Sequence, residues 1–163
     1  MTHSIHIRPA EAGDEDRILA LIQALADYEK EPDAVQATRA DLARHLFDAT
    51  PSAFCLLAFR EGATVPAGFA LYFFTFSTWA GRQTLYLEDL FVRPADRKHG
   101  IGTALLRELA RIAVARDCGR MEWAALDWNT LATDFYRKLG AIPMDDWTTF
   151  RLEGEGIRKL TGS

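Results

Sequence analysis

The order of apolar patterns along this chain predicts one mixed α/β domain, 1–163, with a mostly antiparallel sheet flanked by helices. Three observations carry that reading. Strand-length apolar runs follow one another at 53–59, 67–76 and 84–92, with turn residues between them. After Pro94 the spacing switches to helical period, with Ile101, Leu105, Leu106, Leu109, Ile112 and Ala113 on one stripe. A length of 163 residues is one domain's worth of chain, enough to bury a core without disulfides or metals.

Each element follows in turn. Ile5-His6-Ile7-Arg8 alternates apolar and polar and is stopped by Pro9, which predicts a short first strand. Asp14 is expected to cap a helix running to about Tyr28, because Ile18, Leu21, Ile22 and Leu25 recur on one helical face. Thr38 with Asp41 approximates a capping box for a second, shorter helix that carries Leu42 and Leu46 and ends before Pro51. The acidic linker 29–36 between them reads as a solvated loop. The runs 53–59 and 67–76, split by the polar segment 60–66, pair as antiparallel strands, and the turn 77–82 leads into a third at 84–92. The long helix is expected to end near Gly119. A strand at 121–126, a helix at 129–139 with Gly140 past its end, and a last strand at 148–152 complete the order.

Composition removes several function classes. With 48% apolar and 26% charged residues the chain is a folded protein, and its net charge of -4 argues against wrapping nucleic acid. No apolar run approaches the roughly 20 residues that a membrane span needs. The N-terminal residues hold no apolar signal core, so the protein is read as cytoplasmic. Cys55 and Cys118, distant from each other and in apolar surroundings, read as buried free thiols in a reducing compartment. Four scattered histidines give no ligand spacing, so no metal is expected.

The decisive segment is Arg97-Lys98-His99-Gly100-Ile101-Gly102, placed between a strand and the longest helix. Backbone N–H groups at a helix start, approached closely because glycine has no side chain, bind phosphate oxygens, and Arg97 and Lys98 add positive charge. Two glycines in such a turn also serve backbone geometry alone; the basic residues raise the anion-binding reading above that. The Gly-Lys-Ser/Thr ending of a Walker loop and the third glycine of a dinucleotide fingerprint are both missing.

This Arg-x-x-Gly-x-Gly turn after a strand rich in Leu, Tyr and Phe resembles the acetyl-CoA pyrophosphate loop of the GNAT N-acetyltransferases. Tyr28-Glu29, Ser77-Thr78-Trp79, Leu85-Tyr86-Leu87-Glu88-Asp89, Asp127-Trp128-Asn129 and Phe135-Tyr136 are similar to the diamine acetyltransferases of spermidine/spermine type. Glu153-Gly154-Glu155 and Arg158-Lys159-Leu160 lean toward the branch that acetylates thialysine. The resemblance spans essentially the whole chain. It implies a GNAT-like sheet in which the strand carrying Leu90, Phe91 and Val92 splays from the next, parallel strand and pairs its backbone with the cofactor.

By the same resemblance, acetyl-CoA is held by Leu90, Phe91 and Val92, by the turn Arg97, Lys98, His99, Gly100, Ile101, Gly102 and Thr103, and by Asn129, Thr130, Leu131, Ala132 and Tyr136. A backbone N–H near Leu90 is then placed to stabilise the developing oxyanion. Tyr136 becomes the general acid for the departing thiolate; the plainer reading is an amphipathic tyrosine packed beside Phe135. Seven residues, two helical turns, separate it from Asn129, so both share one helix face. Glu88 and Asp89, adjacent on a strand, should point to opposite faces. Glu88 binds the ammonium, relays its proton, or does both, unless it only makes a structural hydrogen bond at a strand bulge.

Substrate-side candidates are Tyr28, Glu29, Ser77, Trp79, Glu88, Glu122, Trp123, Ala124 and Asp145, since carboxylates attract a cation and aromatic faces hold it. Position 77 is a departure, because the spermidine branch has an aspartate where this chain has Ser77. The implied function is acetyl transfer to a small lysine-like or diamine amine by direct attack in a ternary complex, thialysine-like acceptors being favoured, with a homodimer completing the acceptor site. Acetylation of a drug, an amino sugar or a protein N-terminus, and a non-catalytic CoA-binding regulatory domain, are the rivals.

Overall fold

The computed structural model describes residues 4–162. Residues 1–3, on which part of the leader reading rests, lie outside the described residues. The chain divides into two compact units after Ala124.

The first unit is built on a five-stranded sheet in the order β1-β2-β3-β4-β5. β1 (Ile5–Pro9), β2 (Phe54–Arg60), β3 (Gly68–Ser77) and β4 (Arg82–Val92) form an antiparallel series, and β5 (Arg120–Trp123) runs parallel to β4. The parallel step needs a crossover, and the long helix α3 (Ile101–Ala115) supplies it. Helices α1 (Glu15–Tyr28) and α2 (Arg39–Phe47) come between β1 and β2. One face of the sheet gives Cys55, Leu57, Phe59, Phe69 and Phe91 to a core with Ile18 and Leu21 of α1 and Leu42 and Leu46 of α2. α3 buries Ile101, Leu105, Leu106, Leu109 and Ala113, and Leu56, Ala58, Ala70, Leu85 and Leu87 are buried outside the first cluster. Each large side chain so enclosed contributes about 1.5–3 kcal/mol. No described helix is long and apolar enough to cross a membrane.

One local reading changes and another holds. Asp14 precedes α1 but makes no cap bond with its side chain. Its carboxylate instead takes two bonds from Arg8 (2.7 and 3.0 Å), one from Arg17 (3.1 Å) and one from the Glu11 N–H (2.8 Å). A double arginine fork outbids a single backbone donor. That ion pair with Arg8 holds the Asp14 carboxyl down at about 2. The Thr38–Asp41 capping box of α2 forms in both directions as expected.

In the second unit, α4 (Thr130–Lys138) is capped by Asn129, whose side chain accepts from the Ala132 N–H at 3.3 Å. The last strand expected at 148–152 is absent; that stretch is irregular and leads to α5 (Gly154–Leu160). Thr148, Thr149, Phe150 and Leu152 have strand propensity, but propensity without a ladder partner forms no strand. β5 is shorter than the expected 121–126, and α3 ends at Ala115, where Arg116 and the left-handed Asp117 (φ 54°) turn the chain. Cys55 is buried, and burial pushes its thiol up to about 12; Cys118 is only half-buried.

Candidate active site

β4 organises the first unit's site. Its ladder with β3 pairs Tyr72 with Leu87 but Leu71 with Asp89, so Glu88 is an extra residue, a β-bulge. The bulge inverts the facing of the strand. Before it Leu87 shares a face with Tyr72; after it Asp89 and Phe91 share the opposite face with Leu71 and Phe69, toward α1 and α2. Strict alternation, the basis for setting Glu88 and Asp89 on opposite faces, therefore does not apply here. Glu88 is exposed and Asp89 half-buried. Loss of water raises the Asp89 carboxyl to about 6, with the charges of Glu88 and Glu29 adding to the effect.

Glu29 follows the last residue of α1 and accepts no solvated-loop description, since it is half-buried and desolvation raises its carboxyl too. The negative charges of Glu29 and Glu88 thus both act on Asp89, an arrangement that favours a cation near Asp89. Asp89 was not assigned a role from sequence. The signal available was a lone aspartate inside the apolar run 85–92.

The parallel ladder stops at Leu87 opposite Trp123, while β4 continues to Val92. Five residues, from Glu88 to Val92, therefore have no β5 partner, as the splayed pair requires. A short turn of 3₁₀ helix at Pro94–Asp96 then leads to the glycine turn. Lys98 (φ 69°) and Gly100 (φ 78°) both adopt left-handed backbone, natural for Gly100 and strained for Lys98. Gly100, at the N-cap position of α3, offers no side-chain cap, and the space where its Cβ would stand has no atom within 4 Å. A Cβ on Gly102 would touch Val92 Cγ2 at 3.9 Å. Uncapped helix-start N–H groups beside open space fit a phosphate group. Lys98, His99 and Gly100 are exposed, Ile101 is buried, and Gly102 and Thr103 are half-buried. Arg97 is folded inward: its Nε donates to the Val92 carbonyl at 3.0 Å and its guanidinium lies 4.4 Å from the Tyr28 ring centroid.

The other candidates are placed as follows. Ser77 is buried at the β3–β4 hairpin, 6% exposed, and its Oγ accepts from the Ala80 N–H at 3.2 Å, so the turn uses it. Trp79 stands at the hairpin tip, 90% exposed. Glu122 is paired with Arg120 at 2.8 Å, Trp123 is half-buried and Ala124 exposed. In the second unit Asn129, Ala132 and Tyr136 are half-buried, Thr130 and Leu131 exposed, and the Tyr136 ring lies 5.6 Å from that of Phe135. Asp145 is exposed in an irregular turn. Among the described residues no group of three or more metal-ligating side chains comes together.

Comparison with known proteins agrees with this geometry. The model of the acetyltransferase (GNAT) family matches residues 18–141. The thialysine N-epsilon-acetyltransferases of Bos taurus and Sus scrofa are 40% and 38% identical to this chain; the alignments cover 97% and 98% of it and 98% of each relative. The spermidine/spermine N(1)-acetyltransferase-like protein 1 of Homo sapiens is 38% identical over 93% of this chain and 23% of its own length. A solved integron cassette protein from the mobile metagenome of V. cholerae superposes with a TM-score of 0.80 at 29% identity, covering 100% of this chain and 99% of that one. A five-stranded mixed sheet, a strand that outruns its parallel neighbour into a glycine turn, and matches along nearly the whole length converge: this chain belongs to the GNAT family of acetyltransferases.

Proposed function

We propose that this enzyme transfers the acetyl group of acetyl-CoA to the primary amine of a small lysine-like or diamine acceptor, thialysine-like acceptors being favoured over polyamines. The observation that carries the reading is the double use of β4. Its bulge gathers carboxylates for an ammonium, and its unpaired end runs straight into the uncapped turn. Nearly full-length similarity to two thialysine acetyltransferases supports the acceptor class. The neutral Ser77, engaged in its own turn, supplies no carboxylate for a second ammonium group.

Acetyl-CoA supplies the activated acetyl thioester. In this reading the N–H groups of Ile101, Gly102 and Thr103, with Lys98 and His99, hold the pyrophosphate, and the backbone of Leu90, Phe91 and Val92 pairs with the pantetheine amides. An alkylammonium is mostly protonated at neutral pH and must lose a proton before it can attack. Glu88 receives or relays that proton, directly or through water, while Glu29 and Asp89 attract the cation. Tyr136 donates its hydroxyl proton to the leaving sulfur, and Asn129, Thr130, Leu131 and Ala132 line the same ligand. Tyr28, Trp79, Glu122, Trp123, Ala124 and Asp145 are assigned to the acceptor side. The whole of 1–163 is proposed to act as one domain, without a metal, as a homodimer in the cytoplasm. Exposed Phe76 and Trp79 on the hairpin suit a partner subunit, and the free thiol of Cys55 suits a reducing compartment.

The test is turnover of purified protein with acetyl-CoA and an amine panel, read by product mass. Acetylthialysine exceeding acetylspermidine in kcat/KM supports the assignment. A preference for spermidine overturns the acceptor class, and CoA binding without turnover on any amine overturns catalysis.

A further inference from the structure

Arg97 opens the glycine turn, and its side chain reaches back to groups of β4 and α1. Nε donates to the Val92 carbonyl at 3.0 Å, at the end of β4. The guanidinium carbon is 4.4 Å from the Tyr28 ring centroid and 5.7 Å from that of Phe91, and these two rings are 6.3 Å apart. Tyr28 closes α1 and is followed by Glu29, whose charge acts on Asp89. Phe91 is 3% exposed and fixed in the core beneath. One side chain therefore ties the end of β4, the end of α1 and the start of the turn. The residue after it, Lys98, takes a left-handed φ of 69°, so the path of the turn is bent immediately beyond this anchor.

We infer that Arg97 is a positioning residue whose stack on Tyr28 joins the two halves of the site, so that Tyr28 on the acceptor side governs how well the turn holds CoA. The inference rests on the proposed reading of the turn as the pyrophosphate site. With Nε bonded to a carbonyl and the guanidinium over a ring, the side chain has little freedom left to lose, and this fixes the start of the turn. A lysine at this position keeps the charge but cannot hold the carbonyl and lie flat on the ring together. Because binding couplings are reciprocal, a contact through which Tyr28 favours CoA also lets bound CoA favour the amine.

The experiment measures CoA affinity by calorimetry and acceptor KM at saturating acetyl-CoA, using the full chain. Tyr28→Leu is expected to weaken CoA by about fivefold, within the range of a partly buried cation–π contact. Tyr28→Phe, which keeps the ring, stays within about twofold in CoA affinity. Arg97→Lys weakens CoA and raises the amine KM by about threefold, and the double variant Tyr28→Leu/Arg97→Lys binds CoA no more weakly than Arg97→Lys alone. Parent-like CoA affinity in Tyr28→Leu, or losses that multiply in the double variant, overturns the inference. Should Tyr28→Leu not fold, Arg97→Lys decides: an unchanged amine KM overturns the coupling and a raised one supports it. A parent protein that binds no CoA overturns the underlying reading as well, which separates the two failures.

Discussion

Asp89→Asn should stabilise the protein at pH 8 and have little effect on stability near pH 4. Desolvation on the α1/α2 face, with the charges of Glu88 and Glu29, raises the Asp89 carboxyl from 3.8 to about 6. The folded state therefore holds this proton more tightly than the unfolded chain does, and stability falls as pH rises between those values and stays low above them. At about 1.4 kcal/mol per tenfold, full ionisation opposes folding by roughly 3 kcal/mol, which partial exposure reduces to about 1–2 kcal/mol. Asparagine fills nearly the same volume without the charge, so it should recover that amount at pH 8 and about 0.5 kcal/mol or less near pH 4. Urea unfolding of both proteins at the two pH values measures the gap. If the carboxylate is kept for its cation, the same variant should raise the acceptor KM roughly tenfold at pH 8, the scale of a lost hydrogen bond to a charged group. A variant no more stable than the parent at pH 8, or a gap equal at both pH values, refutes the argument.

Three further outcomes are expected. Tyr136→Phe preserves ring packing against Phe135 and should retain the fold while slowing kcat by roughly 10²- to 10⁴-fold; a turnover within about twofold of the parent returns Tyr136 to a packing role. Gly100→Ala meets no atom within 4 Å but must keep φ 78°, so it should lose about 1 kcal/mol of stability and weaken CoA, whereas intact CoA affinity would remove the turn from the pyrophosphate site. Asp14→Ala removes the carboxylate that Arg8 and Arg17 share, and because both arginines reach solvent it should destabilise by about 1–2 kcal/mol at pH 7. Since its carboxyl is depressed to about 2, that contribution is present above pH 4 and fades as pH falls toward 2, which acid titration of the parent and variant would reveal.

The strands and helices that bury one clear stripe were legible in the sequence, because Ile18, Leu21, Leu105 and Leu109 recur at the spacing that burial demands. The glycine turn was legible for a related reason: it needs backbone conformations that few residues supply. What escaped were features that depend on a partner distant in the chain. The sequence around Asp14 points to a cap because capping is local, whereas Arg8 and Arg17 decide its role. The stretch 148–152 has strand-forming residues but no ladder to join. The alternation rule placed Glu88 and Asp89 on opposite faces, and only the register against Leu71 and Tyr72 reveals the extra residue between them. Arg97 carries the same lesson, since nothing in its neighbours announces a ring 69 positions earlier, the interval from Tyr28 to Arg97.

The bulge at Glu88 has a consequence for which changes this strand tolerates. What it preserves is a count, two residues on β4 set against one step on β3, and not the identity of the residue inserted. Position 88 has no place in the core, so its side chain is free to be chosen for chemistry alone, and an exchange there leaves the register standing. Removing the residue is a different event. A one-residue deletion would close the bulge: Leu87 and Asp89 would become neighbours opposite Tyr72 and Leu71, Phe91 would keep its place opposite Phe69, and the strand would lose its local kink and the Glu88 carboxylate. The bulge is thus separable from the core: a scan by replacement would rate position 88 as structurally silent, and a deletion there would straighten β4 without unseating Phe91, so what either change costs is the carboxylate that residue 88 carries.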